Sequence, residues 1–372
     1  MMGGYDLKIT QDSTLIARTR RHIFRNTLLL LTAAIVLTSC DSGESTVTPQ
    51  ISILQETTMP LPSPTEVVTP SPSPIPTPDP YKAPLTGLGI EAPITARPIM
   101  YMVENSPSAR PQTGLTDADV VYEILAEGEI TRFIAVYQSK VPAVIGPVRS
   151  IRPYFVEIGK GLDAIVVHAG WSQDGMNAIV RLKVDHLDQV YGDDRYYWRD
   201  KSRKAPHNLY SNVEKIRQAA LDKKFHVEWK NPLLKFTAPL DSKLEGQVVN
   251  NITIPYIAGY KVGYTYDKVS GLFQRSMLGE PHKDKVSGQI IEAKNIIICE
   301  ASHQILDKEG RRAVNIHGPG KGYLLQEGII KEVTWKEKDG FIRVSDTTGE
   351  LGLLPGKTWI QVVPKGTELT IT

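Results

Sequence analysis

The density of proline between residues 41 and 80 constrains this chain most, because it separates a part that cannot fold from a part that can. This window holds ten prolines, and in residues 60–80 (PLPSPTEVVTPSPSPIPTPDP) they nearly alternate with Ser and Thr. Proline at every second or third position removes the amide donors that helices and sheet ladders need. We therefore predict an extended polyproline stalk over residues 60–80, which at ~3.1 Å per residue reaches roughly 65 Å.

A targeting segment precedes this stalk. Basic residues lead into an apolar run, residues 28–37 (LLLLTAAIVL), which is typical of a signal-peptide core and too short to span a bilayer. The run ends in Leu37-Thr38-Ser39-Cys40, which resembles the lipobox of bacterial lipoproteins. In those proteins the chain is cut just before the cysteine, and the cysteine thiol is diacylated.

The lipobox predicts where the protein resides. We expect residues 1–39 to be a lipoprotein signal peptide, and residues 40–83 to be a lipidated Cys40 followed by the stalk. More than one acyl chain supplies enough buried CH₂ groups for stable anchoring, so we predict an extracytoplasmic protein anchored to the bacterial cell membrane. The alternative is an ordinary secreted protein in which Cys40 stands at this position by coincidence.

The charge balance argues against a nucleic-acid partner. The chain carries 43 basic and 41 acidic residues, and without its first 40 residues the balance is 38 to 39. Nucleic-acid binding normally requires a basic stripe that neutralises phosphates. We therefore predict no nucleic-acid partner, and any anion binding must be local.

Hydrophobic patterning divides the rest of the chain into two halves. Residues 84–230 combine helices with strands, the latter predicted at residues 98–103, 120–125, 132–138 and 163–168. Residues 231–372 contain short alternating runs separated by Gly, Asp and Lys turns, a pattern typical of antiparallel sheets. The predicted fold class is α+β, with an N-terminal mixed α/β domain (84–230) followed by a mostly antiparallel β domain (231–372).

The segment 146–153 (GPVRSIRP) is the main candidate binding site. A Gly-Pro break precedes Ser150, which we predict caps a helix, and a helix N-terminus favours an anion. Arg149 and Arg152 add forked donors suited to phosphate or carboxylate. The alternative is that these arginines pair with Glu123 or Glu127 and only hold the loop in place. The segment 126–131 (AEGEIT) predicts a hairpin between the strands at 120–125 and 132–138. Near it, Glu123, Glu127, Glu129 and Arg132 are otherwise expected to form a solvated charged rim.

A second turn follows the predicted strand 163–168. His168 ends that strand, and Ser172 or Asp174 is placed to cap the next helix. Ligands bind at such turns in open α/β sheets, so His168 and Ser172 are candidate site residues. With Asp174, Asp163 or Asp119 as a third member they are also weak catalytic candidates. The chain lacks a G-x-S-x-G elbow, however, and whether it is an enzyme stays undecided.

Residues 191–210 (YGDDRYYWRDKSRKAPHNLY) interleave basic and aromatic side chains. Such a segment can bind nucleic acid or sugar rings by stacking. Because the mature protein is expected outside the membrane, a glycan or wall polymer is the better candidate, and His207 and Asn208 are the candidate ligand-binding residues. Arg110, in the polar loop after the first strand, is a further candidate. The alternative is a solvated loop. Ser211 and Glu214 match a capping box for a helix that reaches about residue 224.

We predict neither a metal nor a cofactor. The eight histidines show no H-x-x-x-H or CxxC spacing. The glycine-rich HGPGKG at residues 317–322 lacks the spacing and the terminal Ser or Thr of a P-loop, so we interpret it as a hairpin loop. Cys299 lies in an apolar strand (IIICEASH), where a buried thiol is inert.

Several motifs together resemble one family. These are ARPQTGL (109–115), ADVVYEILAEG (118–128), TRF (131–133), GPVRS (146–150) with Arg152, VHAGWS (167–172) and APHNLY (205–210). In combination they resemble the YerB-like lipoproteins of bacteria, over roughly residues 85–365. The resemblance implies an α/β N-terminal part, a β-rich C-terminal part and membrane anchorage. It implies no established activity and no catalytic residues.

Two functional hypotheses follow. The first is a lipid-anchored binding or scaffold module that holds an anionic small molecule or a cell-wall glycan through Arg149, Arg152, His168 and Ser172. A module that recognises another protein is a variant of this hypothesis. The second is an envelope hydrolase that acts on a glycan or phosphoester with the same residues.

Overall fold

The computed structural model describes residues 80–230, 234–237 and 244–372. The predicted signal peptide, Cys40 and the stalk lie outside the described residues. Three α-helices occur in the described part: α1 (Pro153–Gly161), α2 (Gln173–Leu182) and α3 (Val213–Asp222). Short 3-10 helices cover Pro107–Ala109, Leu115–Asp117 and Asp194–Tyr196. None of the described helices is long and apolar enough to cross a membrane.

Strands make up most of the regular structure in both halves. Those of the N-terminal half are β1 (Tyr81–Lys82), β2 (Gly89–Ile90), β3 (Ile99–Glu104), β4 (Val120–Glu127), β5 (Ile130–Tyr137), β6 (Ile165–His168), β7 (His186–Asp188), β8 (Trp198–Arg199) and β9 (Leu209–Tyr210). Those of the C-terminal half are β10 (Gln247–Val248), β11 (Asn251–Ile257), β12 (Tyr260–Asp267), β13 (Leu272–Met277), β14 (Glu280–Pro281), β15 (Glu292–Ala293), β16 (Asn295–Ala301), β17 (His303–Ile305), β18 (Arg312–Val314), β19 (Gly320–Gln326), β20 (Ile329–Lys338), β21 (Phe341–Asp346), β22 (Gly349–Leu351), β23 (Thr358–Pro364) and β24 (Thr370–Ile371).

A twelve-stranded sheet contains strands from both halves of the chain. Its order is β22-β21-β20-β19-β16-β23-β4-β5-β3-β6-β7, with β10 paired to β20. Strand β23, near the end of the chain, lies between β16 and β4 and is parallel to both. One continuous sheet therefore combines strands from before and after residue 230, where the sequence predicts a domain boundary. The described residues all fall in one compact unit.

The two faces of this sheet bury different partners. Met100 and Met102 of β3 pack in the core that contains α1 and α2, whereas Tyr101 and Val103 pack in the core that contains α3 and a second sheet. This second sheet has six strands in the order β14-β13-β12-β11-β24, with β15 beside β13, and its pairs are antiparallel. Because both faces are covered, β3 consists of apolar residues up to its last position.

The strands predicted from hydrophobic runs are confirmed, but two predicted helix starts are wrong. Ser150 does not cap α1, because the chain stays extended through Arg152, which is the N-cap and makes no side-chain capping bond. Ser211 does not cap α3, because Asn212 accepts the amide of Lys215 and the Ser211 hydroxyl donates to the Tyr196 carbonyl at 2.8 Å. Ser172 does cap α2, by accepting the amide of Gly175.

A buried ion pair joins the two sheets. The Glu123 carboxylate on β4 meets the Arg275 guanidinium on β13 at 2.6 Å, and both side chains are 0% exposed. The other Glu123 oxygen accepts the hydroxyls of Thr131 at 2.8 Å and Tyr260 at 2.7 Å. The expectation that Glu123 lies in a solvated rim is therefore wrong, because the six-stranded sheet covers this face of β4.

Aromatic rings complete the surroundings of Arg275. Its guanidinium carbon lies 5.2 Å from the Phe133 ring centroid and 4.7 Å from that of Trp359. Burial lowers the pKa of Arg275, but the Glu123 carboxylate and the hydroxyl of Tyr260 raise it by a larger amount, so the net effect is an increase. The guanidinium is therefore a permanent buried charge, and in the described part of the chain its ion pair is with Glu123.

Candidate functional site

Three parallel strands end at the same edge of the large sheet. Strands β3, β6 and β7 are parallel neighbours, and their last residues are Glu104, His168 and Asp188. Ligands of open α/β sheets bind outside the carboxyl ends of the strands. The loops that follow these strands therefore make up the candidate site.

Glu104 is the centre of a polar group that we call the Glu104 cluster, consisting of Glu104, Ser106, Arg149 and His207. One Glu104 oxygen accepts the Ser106 hydroxyl at 2.7 Å and the Nδ1–H of His207 at 2.8 Å, and it lies 3.3 Å from Nε of Arg149. The residue is 2% exposed. Its second oxygen is buried and has no hydrogen-bond partner among the described residues.

The backbone of the segment 146–152 holds Arg149 beside this carboxylate. The Arg149 amide donates to the Met102 carbonyl at 2.8 Å, and its own carbonyl accepts the Ala169 amide at 3.0 Å. The segment therefore lies across the ends of β3 and β6. The Arg149 side chain stays 29% exposed, and no described contact uses its two terminal nitrogens.

Arg152 faces another carboxylate. It pairs with Glu127, which also pairs with Arg132 at 2.7 Å. Burial raises the pKa of Glu127, but the charges of Arg132 and Arg152 lower it by more, so the carboxylate stays ionised below its usual range. Arg132 also donates to the Ser150 carbonyl at 2.7 Å. The alternative that these arginines pair with Glu123 or Glu127 thus holds for Arg152, which pairs with Glu127. Arg149 instead pairs with Glu104.

His168 is buried and holds a fixed tautomer. Its Nδ1–H donates to the Gly170 carbonyl at 3.0 Å, so Nε2 accepts from Nδ1–H of His186, also at 3.0 Å. Burial, together with the neighbouring His186, lowers the pKa of His168 to about 4 in spite of the opposing effect of Asp188. His168 is therefore a neutral structural group at pH 7.

Ser172 and His168 do not form a catalytic pair in the described contacts. The Ser172 hydroxyl accepts the Gly175 amide at 3.2 Å, as a helix cap. Of the aspartates proposed as third members, Asp163 pairs with Arg97, and Asp119 binds the amides of residues 138 and 139. His168 thus ends β6, whereas Asp163 precedes that strand and Asp119 precedes β4. The described contacts therefore do not assemble these residues for nucleophilic catalysis.

Hydrogen bonds to the rest of the protein hold parts of the 191–210 segment in place. Asn208 is buried, donates to the carbonyls of Asp200 and Arg203 at 3.0 and 3.1 Å, and accepts from Arg199 at 2.9 Å. Arg203 donates to the carbonyls of Ala109 and Pro111. Asn208 therefore shapes the loop that presents His207, and it has a structural contact at each polar atom.

Arg110 makes no described contact with the side chains of the Glu104 cluster. Its Nε and Nη2 donate to the Asn105 carbonyl at 3.1 and 2.8 Å, and its guanidinium carbon lies 4.9 Å from the Tyr260 ring centroid. It lines a cleft of about 410 Å³ together with the β13–β14 hairpin. Of the eight predicted site residues, only Arg149 and His207 meet at one carboxylate.

Sequence reasoning missed Glu104 and Ser106. The sequence pattern could have indicated Glu104, because this charged residue follows five consecutive apolar residues at the carboxyl end of a fully buried strand. The described residues contain no group of three or more His, Cys, Asp or Glu side chains arranged to hold a metal ion. Cys299 is buried, and burial raises the pKa of its thiol, as expected for an inert core cysteine.

Comparison with known proteins identifies the family. Residues 85–226 match the N-terminal domain, and residues 252–360 the C-terminal domain, of a protein family of unknown function, DUF3048. A Bacillus subtilis protein described as "Putative lipoprotein YerB" is 40% identical over 291 residues, which are 76% of this chain and 86% of that protein. The crystal structure of YerB protein from Bacillus subtilis superposes with a TM-score of 0.73 at 38% identity, covering 78% of this chain and 99% of that chain. This chain therefore belongs to the YerB-like family, whose two-part domain has no established function.

Proposed function

We propose that this protein is an extracytoplasmic, lipid-anchored binding protein that holds an anionic ligand, such as an acidic cell-wall glycan, at the Glu104 cluster. The observation that carries the proposal is the half-exposed Arg149. Its Nε faces a buried carboxylate at 3.3 Å, while its terminal nitrogens have no described partner. A guanidinium held in this way presents a fork of donors to a carboxylate or phosphate at little cost in side-chain entropy.

The surroundings of the cluster favour an anion. The loop that supplies His207 also carries Arg199, Lys201 and Lys204, all exposed. The second Glu104 oxygen is buried, so the ligand would contact the guanidinium of Arg149 rather than that oxygen.

Anchorage rests on two independent supports. The sequence before Cys40 has the pattern of a lipoprotein signal, and the related Bacillus subtilis protein is described as a lipoprotein. A hydrolase is not proposed, because Ser172 caps a helix and His168 bonds to Gly170 and His186.

Thermal unfolding of the full-length chain in lipid nanodiscs tests the proposal. Muropeptides and sugar phosphates are compared with the corresponding neutral sugars. A ligand at a hundred times its dissociation constant adds ~2.7 kcal/mol to the free energy of unfolding. We expect an acidic probe to raise the melting temperature of the wild type, and Arg149→Met to abolish the rise.

Arg181→Met is the matched control, because this arginine is 67% exposed on α2 and belongs to another surface. It should keep the full ligand-induced rise. An acidic probe that stabilises wild type and Arg149→Met equally contradicts the proposed site. Stabilisation by neutral sugars alone contradicts the anionic ligand. The same samples are assayed for product, and turnover that His168→Asn removes would favour the hydrolase.

A further inference from the structure

We propose that the cleft beside Arg110 is a second binding site, for a small molecule that carries one carboxylate on an apolar body. The cleft has a volume of about 410 Å³ and lies between the loop that follows β3 and the β13–β14 hairpin. It therefore lies on the seam between the two halves of the chain, where ligand sites are frequent. None of its lining residues belongs to the Glu104 cluster.

The walls of the cleft are mainly apolar. Met277, Leu278 and Pro281 come from the hairpin, and Pro111 faces them from the N-terminal half. Leu278 is 48% exposed, although it is a large apolar side chain. A volume of this size holds a body of roughly ten to fifteen heavy atoms, within the 300–1,000 Å³ range of small-molecule pockets.

Arg110 supplies a held, incompletely used cation. Its Nε and Nη2 donate to the Asn105 carbonyl, and its guanidinium carbon lies 4.9 Å from the Tyr260 ring centroid. No contact among the described residues uses Nη1. Burial lowers the pKa of Arg110, against the opposing effects of Tyr260 and Glu123, as expected for a partly desolvated guanidinium. Such a cation binds an anion strongly because little solvation remains to be lost.

The remaining charges favour a single negative charge on the ligand. Lys283 and Glu280 line the rim and offset each other, which leaves Arg110 as the excess charge. His282, in the wall, is buried and neutral, because its Nδ1 accepts from Arg275 and its Nε2–H donates to Gln112 at 2.9 Å. A monoanion therefore balances the cleft, whereas a dianionic phosphate leaves surplus charge against Glu280.

Fluorine NMR tests this site with two matched probes, 4-(trifluoromethyl)benzoate and the neutral 4-(trifluoromethyl)benzyl alcohol. Each probe is titrated into the full-length chain in nanodiscs, with empty nanodiscs as the blank for lipid partitioning. We expect the benzoate to bind at least about tenfold more tightly than the alcohol, and Arg110→Met to weaken benzoate binding by about tenfold or more.

Two further variants keep the test decisive if Arg110→Met is unstable. Leu278 has a φ of 56°, a conformation in which aspartate is tolerated. Leu278→Asp should therefore fold, and its charge should repel the benzoate but not the alcohol. Arg311→Met, at an arginine paired with Asp307 in a distant turn, should bind like the wild type.

The cleft proposal is overturned if benzoate and alcohol bind equally, if Leu278→Asp binds benzoate like the wild type, or if neither probe binds up to about 10 mM. Arg149→Met should leave benzoate binding unchanged. This last result separates the cleft from the Glu104 cluster, so that either site can fail without the other.

Discussion

Acidification should destabilise this protein, and the buried His168 should account for a measurable part of the loss. His168 is fully buried, and its pKa falls from 6.5 to about 4 because burial and His186 disfavour the charged ring. Its two nitrogens already have partners, so a proton added at Nε2 meets the Nδ1–H of His186 and breaks that bond. The perturbation is a change from pH 7 to pH 4, and its target is the free energy of unfolding.

The sign and the size follow from linkage. Between pH 6.5 and 4 the unfolded chain binds a proton at this position and the native chain does not, so stability is lost as the pH falls through this window. Each pKa unit corresponds to about 1.4 kcal/mol, and the difference at His168 is therefore worth about 3 kcal/mol. A loss of this size is a large fraction of the roughly 5–15 kcal/mol that stabilises a typical domain.

Urea unfolding at pH 7, 6, 5 and 4 measures the effect. His168→Asn keeps a donor for the Gly170 carbonyl but has no group that titrates, so its loss of stability over this range should be smaller than that of the wild type by about 3 kcal/mol. His317→Asn, at a histidine that is 57% exposed, should lose as much as the wild type to within about 1 kcal/mol.

Equal acid sensitivity in the wild type and in His168→Asn would refute this reasoning. Proton NMR provides a second measurement if the variant is too unstable. The ring signal of His168 should remain that of a neutral imidazole at pH 5, and a midpoint near 6.5 would show that burial does not control this group.

Two further predictions concern the joint between the sheets and a tight backbone contact. Glu123→Gln leaves Arg275 buried without a counter-charge and should lower the free energy of unfolding in urea by about 3–5 kcal/mol. The double variant with Arg275→Met should recover part of that loss. Strict additivity of the two substitutions would contradict the pairing. Gly340 has a φ of 80°, and a Cβ there would lie 2.1 Å from the Gly161 backbone. Gly340→Ala should therefore lower the melting temperature far more than Gly279→Ala, where φ is 92° and the space is open; similar losses would mean that φ strain alone decides.

Local patterns predicted most of the strands and one helix cap correctly. The apolar runs at β3, β4, β5 and β6 were sufficient, because a strand buried on both faces is mainly apolar, whatever lies against it. Ser172 was predictable as a cap because capping is a contact between residues three apart. Ser150 was not, because a long-range bond from the Ile151 amide to the Gly170 carbonyl keeps the chain extended there.

The chain by itself thus carries the information that is local: the predicted lipoprotein signal and proline-rich stalk, most strand positions, and membership of a family through its motifs. Tertiary structure alone decided which charges meet. Glu123 was expected in a solvated rim, but it pairs with Arg275, which lies 152 residues later in the chain. Arg149 pairs with Glu104, on β3, rather than with Glu123 or Glu127. The physical reason is that an ion pair depends on distance in space and on burial, and neither is a function of separation along the chain.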